Sequence, residues 1–175
     1  MRDRIRTATA RLRERVGAGP RSDYPALRDE AEALLQRFME GGLVLGAHWW
    51  SSLVVVIIPA SPFDAERDAY LTVESGWSGF DRSGGEVARV EAARIHEPTS
   101  VGYLAAFLAE FGRSPIRSAS LGASRPDLTI EFETGARLRF DGHDEKYESW
   151  NVEHPGVFVV ATPGDNVSFF DGTSG

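Results

Sequence analysis

Cysteine is absent from this chain of 175 residues, lysine occurs once, at Lys146, and no apolar run approaches membrane-spanning length. The missing cysteine excludes disulfides, cysteine-ligated zinc and thiol catalysis together. A transmembrane helix needs about 20 consecutive apolar residues. The most apolar piece here, Leu53-Val-Val-Val-Ile-Ile58, has only the length of a strand, so no membrane partner is expected. The arginine-rich start lacks the apolar core of a secretory signal, which makes the cytoplasm the expected compartment. A single lysine beside 18 arginines fits a GC-rich genome and carries no functional message.

The length suits one domain with a proper core. Charge is spread unevenly. Residues 1–21 hold seven arginines against Asp3 and Glu14, a balance of +5, while the whole chain carries −7, leaving −12 for the rest. A body of that sign repels phosphate, so no nucleic-acid partner is expected. It suits a basic protein partner instead.

Residues 2–16 place Ile5, Ala8, Leu12 and Val16 at helical spacing, with arginines elsewhere on the wheel. Gly17-Ala-Gly-Pro20 ends that helix, which either packs on the domain or meets a membrane surface or nucleic acid. A second helix opens at Ser22 or Asp23, takes Pro25 in its first turn and stops at Gly41-Gly42. Its stripe of Leu27, Ala31, Leu34, Leu35 and Phe38 belongs to the core. Burying its four larger side chains contributes about 6–12 kcal/mol before entropy is subtracted.

Strand patterns follow. Leu43–Ile58 reads as two strands or one bent strand, broken at Gly46 or at Ser51-Ser52, and Ala69–Glu74 as another. Ser75–Gly85, with four glycines, reads as a loop, and Glu86–His96 as a strand. A third helix spans Ser100–Phe111 and buries Leu104, Phe107, Leu108 and Phe111. Strands are then expected at Ile116–Leu121, Leu128–Glu133, Ala136–Asp141, Trp150–Glu153, Val157–Thr162 and Val167–Phe170. Thr134-Gly135 and Pro163-Gly-Asp-Asn166 supply hairpin turns. The expected fold is a single α+β domain: a largely antiparallel, twisted sheet with two N-terminal helices and one central helix. Its parts are a helical segment 1–42, strands and the central helix in 43–112, hairpins in 113–170 and a polar tail 171–175.

The last third combines Leu128-x-Ile-x-Phe132, the Thr134-Gly135 turn, Leu138-x-Phe140, Tyr147-Glu-Ser-Trp150, a Pro155-Gly turn and Val159-Val-Ala-Thr-Pro-Gly164. Over about residues 114–170 this resembles an uncharacterised family of small proteins from GC-rich bacteria, a domain of unknown function. Members of that family end in a Tyr-Glu-x-Trp segment and a Pro-Gly hairpin. The chain departs from the pattern at Asp165-Asn166, where a second glycine is common, and at Phe169-Phe170, where a tryptophan often stands. The resemblance implies a compact β-rich fold and brings no catalytic residues.

Chemistry is sparse. His48, His96, His143 and His154 are scattered, and Asp141-Gly-His-Asp-Glu145 lacks the repeated oxygen ligands of a calcium loop. It reads as a solvated acidic turn, so neither a metal nor a cofactor is expected. Ser75-Gly-Trp-Ser-Gly79 superficially matches a nucleophile elbow, but its glycines stand two before and one after Ser78, not two on each side. Trp49-Trp50 is more pointed: in a strand their indoles face opposite ways, one to the core and one to solvent or a covering element. Trp77 in its glycine-rich loop invites the same reading as an exposed anchor. The expected function is therefore non-catalytic binding, in the manner of an immunity protein or antitoxin facing a basic toxin. Its expected contacts are Trp49, Trp50, Trp77, Asp141, Asp144, Glu145 and Glu148. The alternatives are a small hydrolase using acids and histidines within 141–154, which requires His143, His154 and an acid to converge, or an oligomerising scaffold.

Overall fold

The computed structural model describes residues 24–49, 52–59 and 68–171. The expected helix over residues 2–16 lies outside them. Helix α1 (Tyr24–Met39) buries Ala31, Leu34, Leu35 and Phe38, the stripe that its spacing dictates. It ends where Gly41 takes a φ of 76° and Gly42 donates back to the Met39 carbonyl at 2.8 Å. Strands β1 (Leu43–Trp49), β2 (Leu53–Ile58), β3 (Ala69–Val73), β4 (Trp77–Phe80) and β5 (Glu86–Val90) follow. Helix α2 (Pro98–Phe111) carries proline in its first turn, where the missing N–H costs nothing. Six strands complete the chain: β6 (Ile116–Leu121), β7 (Leu128–Phe132), β8 (Arg137–Phe140), β9 (Trp150–His154), β10 (Val157–Thr162) and β11 (Asn166–Asp171).

The fold is α+β, with two antiparallel sheets in place of the one expected. Sheet A runs β1-β2-β3-β9-β10-β11 and sheet B runs β5-β4-β8-β7-β6. Both expected hairpins form, yet they part company: β7–β8 joins sheet B and β10–β11 joins sheet A. Their inner faces share one hydrophobic cluster. In sheet A the row Leu53–Val73–Trp150–Ala161–Val167 crosses five strands, and in sheet B the row Val90–Trp77–Phe140–Leu128–Leu121 does the same. All ten side chains are buried.

Two local readings are corrected. Ser75–Gly85 is not all loop, because Trp77-Ser-Gly-Phe80 forms β4 between β5 and β8. A glycine inside a strand marks close approach. A Cβ on Gly79 would stand 2.5 Å from the Phe107 ring, so the missing side chain makes room for α2. Glu86–His96 is a strand only to Val90, and a 3-10 turn at Ala92–Arg94 then leads into α2.

The chain follows the same plan twice. The order β1-β2-β3-β9-β10 in sheet A is matched by β6-β7-β8-β4-β5 in sheet B, and a helix precedes each first strand. The helical stripes recur at constant spacing, Ala31 with Leu104, Leu34 with Phe107, Leu35 with Leu108 and Phe38 with Phe111; the buried tryptophans Trp77 and Trp150 keep that spacing too. Each helix packs on the first strand of the other sheet, α1 on β6 and α2 on β1. On its side α1 also closes the edge of sheet B. The Ala119 N–H donates to Gln36 Oε1 at 2.8 Å and the Leu121 N–H to Glu32 Oε2 at 2.6 Å, so outward groups of β6 find acceptors.

Candidate functional site

Between β8 and β9 the chain crosses from sheet B to sheet A, and the residues that tie this crossing down are polar. Asp127 is the anchor. One carboxylate oxygen accepts from Arg125 Nε at 3.0 Å and from Arg139 at 2.5 Å, and the other accepts the Gly142 N–H at 2.8 Å. The Pro126 carbonyl accepts the Trp150 indole N–H at 2.8 Å. Tyr24 donates to the carbonyls of Gly122 (2.5 Å) and Arg125 (2.9 Å), and burial pushes its hydroxyl to about 12, well clear of ionisation. The backbones come so close that a Cβ on Gly142 would lie 2.2 Å from the carbonyl carbon and oxygen of Pro126. Only glycine fits there.

This clamp holds the acidic loop that contains four of the expected contacts. Asp141 is half-buried, with its N–H on the Gly76 carbonyl at 2.9 Å and its carbonyl accepting the Ser75 hydroxyl at 2.5 Å. Burial raises its carboxyl above the usual range, Asp127 adds to the rise, and Arg139 and Arg125 oppose it. Asp144 folds the loop on itself, one oxygen accepting the N–H groups of Lys146 (2.7 Å) and Tyr147 (2.8 Å). Its carbonyl accepts the Gly164 N–H at 3.1 Å from the β10–β11 turn. The same turn meets His143, whose Nδ1 lies 2.6 Å from Asp165, a contact that raises the imidazole pKa. Glu145 is exposed, Glu148 half-buried, and Tyr147 between them is 71% exposed.

Of the tryptophans expected as contacts, Trp77 departs from its expected exposure. Trp77 is 1% exposed because it opens strand β4 with its ring in the shared core, so it offers no anchor to a partner. Trp49 ends β1, paired with Leu53, with its side chain outside the description, and Trp50 lies outside the described residues. The hydrolase alternative needs His143 and His154 together, but His154 closes β9 whereas His143 lies on the loop before that strand, against Asp165 of the β10–β11 turn. His154 is buried against Phe38, ring centroids 5.3 Å apart, while His143 is exposed on the loop. Among the described residues no three histidine, aspartate or glutamate side chains gather to hold a metal ion.

The outer faces of the two sheets differ in a way sequence reading missed. In sheet B the outward rows are Ser118–Glu131–Arg137–Phe80–Glu86 and Ser120–Thr129–Arg139–Ser78–Arg89. These side chains suit water: Arg117 pairs with Glu131 at 3.0 Å and Arg137 lies over the Phe80 ring. In sheet A the rows are Gly46–Val56–Tyr70–Glu153–Phe158–Phe170 and His48–Val54–Thr72–Asn151–Val160–Ser168. They contain one acid and neither lysine nor arginine. The unbroken apolar runs Leu53–Ile58 and Val157–Ala161 were the available signal, since a strand that meets water on one face alternates.

Compared with known protein families, with curated proteins and with solved structures, the chain matches none.

Proposed function

We propose that this chain is a non-catalytic acidic binding protein for a basic protein partner, acting in the cytoplasm as one domain. The most concrete form is an immunity or antitoxin-like protein that covers a bacterial toxin. The observation that carries this reading is the acidic loop. Asp141, Asp144, Glu145 and Glu148 lie on one short crossing fastened to the core by the Asp127–Gly142 and Trp150–Pro126 bonds. Acids on a fixed frame present a defined negative surface, and an exposed Tyr147 in their midst adds the aromatic residue type that dominates binding hot spots. The acidic balance outside residues 1–21 steers a basic partner towards this loop.

The test combines capture from the native host with a loop variant. A basic protein should be retained at low salt and released as ionic strength rises. Glu145→Lys together with Tyr147→Ala, both at exposed positions, should weaken retention at least about tenfold, the loss of one hot-spot contact. Capture of no basic protein, or equal retention by the double variant, would refute the reading.

A further inference from the structure

Sheet B stops one strand short of the plan it shares with sheet A. In sheet A, β11 lies antiparallel along the outer edge of β10. The strand that matches β10 is β5, and among the described residues no strand lies along its outer edge. Glu86, Val87 and Arg89 on it are exposed, Val87 by 48%. A bare edge presents N–H and C=O groups that another strand can pair.

The helix beside this edge differs from its counterpart too. At outward positions α1 carries Asp29, Glu30, Glu32 and Gln36, whereas α2 carries Gly102, Tyr103, Ala105 and Ala109 at the same spacing. All four on α2 are exposed, Tyr103 by 52%. Loss of charge and gain of tyrosine mark the centres of protein interfaces. Tyr103 lines one hollow with Arg89 and Val90, so this helix face runs into the open strand edge.

The charges on β5 are arranged for a twofold axis. The bulge opposite Gly79–Phe80 puts Glu86 and Arg89 on the same outward face, with Ala88 between them facing inward. Within one chain their side chains stand 4.0 Å apart, at the limit of an ion pair. Opposed residues of an antiparallel pair share a face, and a twofold axis makes every opposed pair occur twice. Pairing centred on Arg89 would set two guanidinium groups against each other. Pairing centred on Ala88 sets Arg89 against Glu86 of the second copy, twice.

We infer that a second copy of this chain occupies the open edge: β5 pairs antiparallel with β5 about Ala88, and the uncharged faces of the two α2 helices meet beside it. The two five-stranded sheets then become one. No residue of the acidic loop takes part, so the inference stands whether or not that loop binds a basic protein.

Sedimentation equilibrium of the full chain should show a monomer–dimer equilibrium and nothing larger. Glu86→Arg alone and Arg89→Glu alone should each weaken dimerisation at least about tenfold, and the two together should restore it. Tyr103→Arg should weaken it as well, and circular dichroism should stay unchanged in all four variants. Amide exchange at Ala88 should slow as the protein concentration rises. A chain that stays monomeric up to about 1 mM, or that grows into open-ended assemblies, would overturn the pairing. So would a dimer that both single charge reversals leave intact, or a folded double variant that remains monomeric.

Discussion

At the scale of single residues, the polar side chains near the candidate loop serve the frame first. Asp127 is buried and accepts from three donors, so removing it strands a backbone N–H and two guanidinium groups at once. Gly142 shows the same tightness sterically. Gly142→Ala places a methyl group inside the Pro126 carbonyl, which backbone can relieve only by moving. We expect a loss of about 2–4 kcal/mol, read as a lower urea midpoint with an unchanged slope. Asp141 behaves in the opposite sense. Its carboxyl pKa is raised in the fold by burial and by Asp127, so between the unfolded and folded values the native state holds a proton that the unfolded chain has released. Stability from this group is full below the ordinary aspartate pKa and is lost as pH rises through the folded value. Asp141→Asn should therefore raise the stability read from urea unfolding at neutral pH, by no more than about 1 kcal/mol given its partial exposure, and steepen the loss of stability towards acid pH, which the native carboxyl opposes. An unchanged profile would show that the carboxyl is not desolvated.

At the scale of elements, helix α1 does two jobs, and its sequence announces one of them. The apolar stripe was legible because helical periodicity survives any context. Glu32 and Gln36 read as ordinary exposed polar positions, since nothing local says that a strand edge eighty residues away needs acceptors. At the corresponding places α2 carries Ala105 and Ala109, which have none. Glu32→Ala and Gln36→Ala should each cost about 1–2 kcal/mol by leaving a β6 N–H without its acceptor, whereas Ala105→Gly should cost only the helix-propensity difference of about 1 kcal/mol. Amide exchange at Ala119 and Leu121 separates the two effects: it should accelerate in the α1 variants and stay unchanged in the α2 variant. The strand β4 was illegible for a related reason. Glycine count favours a loop, and only the arrival of Phe107 from a distant helix explains why Gly79 stands in a strand.

At the scale of the whole molecule, the alternation and turn chemistry of the last third located both hairpins, and Gly135 takes the positive φ of 85° that its turn requires. Their assignment to different sheets was beyond reach, because a crossing such as 141–149 looks like any polar loop until partners on both sides are known. The recurrence was hidden as well: the helical stripes and the two tryptophans repeat, but the loops between strands differ in length, so the register drifts. Its physical consequence is interlocking. Helix α1 packs on β6 of sheet B and β11 of sheet A, α2 on β1 of sheet A and β5 of sheet B, and all contribute to one hydrophobic cluster. Neither sheet can lose its helix without uncovering the other, so the two should melt together. The buried tryptophans report on this separately, Trp150 from sheet A and Trp77 from sheet B. With Trp49 and Trp50 replaced by phenylalanine, chains that retain only Trp77 or only Trp150 should each give a fluorescence midpoint in urea that coincides with that chain's own circular dichroism transition. A fluorescence change that precedes the loss of secondary structure in either chain would mean that the repeated halves are separate folding units, and the interlocked core would not be what holds them.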